Sequence, residues 1–155
     1  MPGSEQDRRL YTIAAATPWI MRAWMAKTAR GLRRDPGLML KLLPRMSAAD
    51  ERAVHRADVR QVIRMMSTEA FRQGGRGAAH DLRPEALPWG IRLESIRAPV
   101  DIWHGRDDTI VNIKQAEILA AAIPGAQRHF LAGEGHFSLV FTRAARYLEP
   151  FRAAA

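Results

Sequence analysis

Over the first ninety residues, apolar positions recur at helical spacing between Pro and Gly breaks; past about residue 98 they shorten into strand-length runs. Thr17-Pro18 supplies an N-cap and a first-turn proline for a helix through about Arg34, closed by Asp35-Pro36-Gly37. Trp19, Ile20, Ala23, Trp24 and Leu32 form its apolar stripe. A short helix over Leu38–Leu43 stops at Pro44, and Ser47 followed by Asp50 and Glu51 reads as a capping-box start for another. Asp58 heads the clearest helix of this half, with Val59, Val62, Ile63, Met66 and Ala70 at helical spacing and Gly74-Gly75-Arg76-Gly77 at its end. The Met and Trp residues at these positions are expected in the core, and Pro84 to Pro99 reads as a connecting segment.

Beyond Pro99, Val100 to His104 predicts a strand stopped by Gly105, and Asn112 to Ile123 an amphipathic helix stopped by Pro124-Gly125. Gln127 to Leu131 predicts a second strand and Phe137 to about Leu148 a closing helix. A strand–helix–strand–helix unit of this length implies two parallel strands joined by a right-handed crossover. The expected class is therefore α/β: a helical region over 1–95, then a β-α-β-α unit over 96–155. Tyr11 to Ala16 is too short and Ala-rich to assign as a further strand.

Composition narrows the function classes. With 155 residues, 47% hydrophobic and 26% charged, the chain is of ordinary globular make-up, which excludes collagen-like, mucin-like and strongly disordered readings. Cysteine is absent, so disulfides, thiolate metal sites and Cys nucleophiles are excluded. No apolar run reaches the length of a membrane span, and Met1-Pro2-Gly3-Ser4-Glu5 lacks the features of a signal peptide, so a cytoplasmic protein is expected. The net charge of +8 resides in residues 1–97, but their arginines alternate with acids along helices. That pattern suits solvated helix faces, and nucleic acid is an unlikely partner. A non-catalytic module whose Arg-rich helical face binds a protein or polyanion is the alternative from a different class.

Functional groups of open parallel sheets gather in loops at the carboxyl ends of the strands. Here those loops read His104-Gly105-Arg106-Asp107-Asp108-Thr109 and Gly133-Glu134-Gly135-His136-Phe137. On neighbouring strands, an Asp of the first and His136 of the second share one rim, where a carboxylate would fix the imidazole tautomer and free the other nitrogen as a general base. His55, His80 and His129 have no partner at informative spacing and read as surface or boundary residues. His104 could join Asp108 and His136 at a metal, but no further ligand accompanies it.

These residues resemble the last third of the α/β-hydrolase family. Gly105 to Asp108 matches the family's G-x-x-D acid loop, and Gly133 to His136 matches its G-x-G-H histidine loop. The intervening helix, the Ile123-Pro124-Gly125-Ala126 turn and Arg97-Ala98-Pro99-Val100 ahead of the strand also look like that family. The resemblance covers roughly 96–150, and 17–95 resembles its helical cap less specifically. It implies a partial α/β-hydrolase fold with Asp108 as catalytic acid and His136 as catalytic base, no cofactor and no metal, acting on a small-molecule ester or acyl substrate. Asp107 falls one place early for the acid. Trp19, Trp24, Met65, Met66 and Trp89 could line an acyl pocket, with core packing the commoner use. The family's nucleophile elbow, G-x-S-x-G, is absent: Ser4, Ser47, Ser67, Ser95 and Ser138 lack the flanking glycines, and Ser138 reads as a helix-start residue. The resemblance thus places the nucleophile ahead of Met1; a fragment of a full hydrolase, one half of a two-chain enzyme and a decayed, repurposed domain all fit, and this chain alone is expected to be inactive.

Overall fold

The computed structural model describes residues 17–43, 45–86 and 90–152. Tyr11 to Ala16 and Trp89 lie outside them. Helix α1 spans Pro18–Arg34, α2 Leu38–Leu42, α3 Ala48–His55, α4 Ala57–Ala70 and α5 Arg76–Ala86. A 3-10 turn at Leu93–Ser95 leads to strand β1 (Asp101–Gly105), helix α6 (Ile113–Ala122), strand β2 (Gln127–Leu131) and helix α7 (His136–Arg152). No helix among the described residues is long and apolar enough to cross a membrane.

The described residues form two compact units, 45–59 with 92–152, and 17–43 with 60–86 and 90–91. The segment carrying α3 thus groups with the strands rather than with the helices that flank it in sequence. In the strand-bearing unit, β1 and β2 pair in parallel with Asp101 opposite Gln127 and Gly105 opposite Leu131. Asn112 caps α6 by accepting the Lys114 amide at 3.0 Å. The core here is built from small and branched residues: Ala49, Ala53 and Val54 of α3, Ala116 and Ala120 of α6, Ile123, and Leu139 of α7. Alanines at these contacts let the helices approach closely, and α3 packs directly on α7.

In the helical unit, Met21, Ala29 and Leu32 are the buried face of α1, and Met21 clusters with the partly buried Met25 and with Ala79 of α5. The stripe expected from sequence is not that face. Trp19 is 69% exposed, Trp24 50% and Ile20 41%, and only Leu32 of the five is buried. The reason is steric. Gly75, next to the start of α5, lies against the α1 backbone at Met25 and Ala26, so close that a Cβ would overlap it, and an indole on that side would hold the two helices apart. A second correction concerns α5 itself. The Gly74–Gly77 run ends α4, but it is followed at once by a helix that includes Pro84, where a loop was expected. Val59 and Ile63 of α4 are buried as its spacing predicts, whereas Val62, Met65 and Met66 are exposed.

Candidate functional site

The two loops at the carboxyl ends of the strands meet. Gly105 ends β1 against the second loop so tightly that a Cβ would overlap the Glu134 and Gly135 carbonyls. Arg106 donates its amide to the Leu131 carbonyl at 2.9 Å, and Asp107 donates its own to Glu134 at 3.0 Å. In the second loop Gly133 has φ 74°, left-handed backbone that a side chain would strain. These glycines are therefore required by the geometry that brings Asp108 and His136 together.

Asp108 Oδ2 accepts from His136 Nδ1 at 3.0 Å. Its other oxygen, Oδ1, accepts the amides of Ile110 and Val111, both at 2.8 Å. The carboxylate is 5% exposed and the imidazole 39%. Burial pulls Asp108 toward its neutral form, but the bonds from His136, Val111 and Ile110 outweigh it and hold the carboxyl below the ordinary range. The bond to Asp108 raises His136 above its ordinary value against the opposing effect of burial, with the charges of Asp108 and Asp50 adding to the rise. Facing a carboxylate, Nδ1 carries the proton, which leaves the Nε2 lone pair without a partner among the described residues and free to accept a proton.

The other sequence candidates separate clearly. Asp107 is exposed. His104 lies beside the pair: its Nδ1 donates to the Gly105 carbonyl at 2.8 Å, and its buried, unpartnered Nε2 stands 3.8 Å from Asp108 Oδ2. His55 bonds the Glu51 carbonyl of its own helix. His80 pairs with its exposed neighbour Asp81, while His129 stacks on Trp103 and bonds Asp101.

The residue that sequence reading assigned only to a cap is Asp50. Its carboxylate, wholly buried, accepts the first three amides of α7: His136 on Oδ2 at 3.0 Å, Phe137 and Ser138 on Oδ1 at 2.8 Å each. Ser47 caps α3 by accepting the Asp50 amide at 3.2 Å. A Cβ on Gly135 would overlap both the Asp50 carboxylate and the Ser47 hydroxyl. Ser138 Oγ accepts the Gly135 amide at 2.7 Å. Glu134 is a second carboxylate that sequence reading passed over: 8% exposed, it is bonded by Arg143 Nε at 2.7 Å and by Thr142. Burial raises it, and the bonds from Ser138, Arg143 and Thr142 bring it below the ordinary range. The available signal for Asp50 was its place on the same helical face as the apolar Ala53 and Val54, where a charge needs partners. Thr109 adds a further tie, donating to the Arg45 carbonyl at 3.0 Å.

No family model matches the chain, and no curated protein does. Solved structures do match. An esterase from Thermogutta terrifontis superposes with a TM-score of 0.61 at 20% identity over 99% of this chain and 51% of its own. Est816, described as an N-acyl homoserine lactone degrading enzyme, gives 0.51 at 25% identity over 82% of this chain and 51% of its own. The chain thus spans about half the length of each. It carries a partial α/β-hydrolase fold, a helical region with a two-stranded parallel sheet, as the motifs of its two loops imply.

Proposed function

We propose that Asp108 and His136 are the acid and the general base of a hydrolase site for carboxylic esters or related acyl bonds, whose nucleophile is supplied from outside these 155 residues, by a further segment or by a partner chain. The observation that carries the reading is the 3.0 Å bond from His136 Nδ1 to a buried carboxylate, with Nε2 left open on a partly exposed ring. The structural neighbour described as a thermophilic esterase supports that bond class. The described serines are committed elsewhere. Ser47 and Ser138 serve the α3 and α7 caps, Ser67 donates to Ile63, and Ser95 donates to Arg92.

In this reading His136 Nε2 takes the proton of a serine hydroxyl as its oxygen bonds the acyl carbon. The imidazolium, held by Asp108, then returns that proton to the departing alcohol oxygen and leaves an acyl-enzyme. A water deprotonated by the same nitrogen releases the acid. The 155-residue chain alone should hydrolyse p-nitrophenyl acetate no faster than its His136→Ala variant. Co-expression with the G-x-S-x-G half of a structural neighbour should raise the rate by about 100-fold or more, the scale of general-base catalysis, in a way that His136→Ala abolishes. Turnover by the chain alone that survives His136→Ala overturns the proposal.

A further inference from the structure

His136 begins a 17-residue helix, an unfavourable place for the imidazolium that a general base must form. Unpaired amides give a helix N-terminus a partial positive charge, which opposes protonation of a ring there. Asp50 removes that opposition. Its carboxylate occupies the amides of His136, Phe137 and Ser138 at 2.8–3.0 Å with no solvent exposure. One carboxylate thereby satisfies three orphan donors and places a full negative charge where the dipole is positive.

From this geometry we infer that Asp50 is a positioning residue for His136: it fixes the backbone from which the ring projects and cancels the helix-terminal charge that would otherwise disfavour the imidazolium. Among the described residues, these charged and titratable groups lie around the ring. Asp108 faces it from the loop after β1, and His104, at the end of β1, stands beside the shared Asp108 oxygen. Glu134, two residues before it, is engaged by Arg143 and Thr142 of α7 itself. Asp50, from α3, is the carboxylate on the helix end. Asp50 lies 86 residues before His136, in the segment that groups with the strands, so α3 is part of the frame of the site. The general-base consequence rests on the reading under Proposed function; the effect on the ring does not.

The test is the titration of the His136 ring by 15N-resolved NMR in the 155-residue chain, in the wild type, Asp50→Asn and Asp108→Asn. Asp50→Asn keeps the size and one acceptor oxygen but removes the charge. It should lower the pH at which His136 titrates by about half a unit or more, roughly a threefold loss of proton affinity, with Nδ1 still protonated. A purely structural Asp50 would lower the melting temperature and leave that titration in place, which overturns the inference. If Asp108→Asn lowers the titration and Asp50→Asn does not, only the Asp50 inference fails; if Asp108→Asn leaves it unchanged, the acid–base pair itself fails. Scalar couplings across the hydrogen bonds from the Phe137 and Ser138 amides to Asp50 Cγ, read in the wild type, need no variant to fold. Their presence supports the inference and their absence overturns it.

Discussion

Among the described residues two aspartate–histidine pairs, one within the strands and one just beyond their carboxyl ends, are each separated by 28 residues in sequence, and they are not equivalent. Asp101 and His129 lie within the strands and approach to 2.6 Å, shorter than the 3.0 Å of Asp108 and His136. Yet the Asp101 side chain is 52% exposed against 5% for Asp108, and among the described residues only His129 bonds it. His129 spends Nε2 on that bond with its ring stacked 4.0 Å from Trp103, whereas His136 spends Nδ1 and keeps Nε2 open. Distance is therefore a poor guide to how firmly the protein holds each pair. What separates them is the protein around the acid: burial and two backbone amides on the second carboxylate oxygen.

If that account holds, damage to the loop frame should matter most. Gly105→Ala pushes a methyl into the Glu134 carbonyl backbone and should cost about 3 kcal/mol in urea unfolding, the upper end of what overpacking costs. A change below about 0.5 kcal/mol, ordinary for a surface substitution, would mean the loops are not rigidly apposed.

Asp108→Asn should cost less, about 1–2 kcal/mol as a partly buried charge-assisted bond is lost, and its mark is the pH dependence. In the wild type, the lowered Asp108 adds stability above about pH 4, lost as pH falls through its folded value. The raised His136 adds stability below about pH 6.5, lost as pH rises through its folded value. Thermal unfolding should therefore show its largest wild-type advantage over Asp108→Asn between those limits. An advantage independent of pH would break the comparison. Asp101→Asn should change stability least, by under about 0.5 kcal/mol, as exposed ion pairs do. A loss matching that of Asp108→Asn would erase the distinction between the two pairs.

The strand-bearing half was largely legible in the sequence because its signals are local. Gln127–Leu131 is a strand with the expected limits, Asp101–Gly105 is shifted by one residue, and the helix expected over Asn112 to Ile123 spans Ile113–Ala122 with Asn112 as its cap. Short β-rich runs and Gly or Pro stops act within a few residues. The loop glycines were legible too, since Gly105 and Gly135 sit where any Cβ would collide.

Tertiary structure alone decided the rest. Which face of α1 is buried depends on Gly75 packing against that helix from 50 residues away, and two apolar faces on one helix cannot be ranked from spacing. Helix α5 forms straight after a glycine run that by itself signals a break. Asp50 reads locally as the third residue of a capped helix, and that much is true. Its larger role, seating the first turn of the helix that carries His136, exists only once the chain has folded back over a separation of 86 positions. A buried carboxylate takes its meaning from the donors that surround it, and those are chosen by the fold.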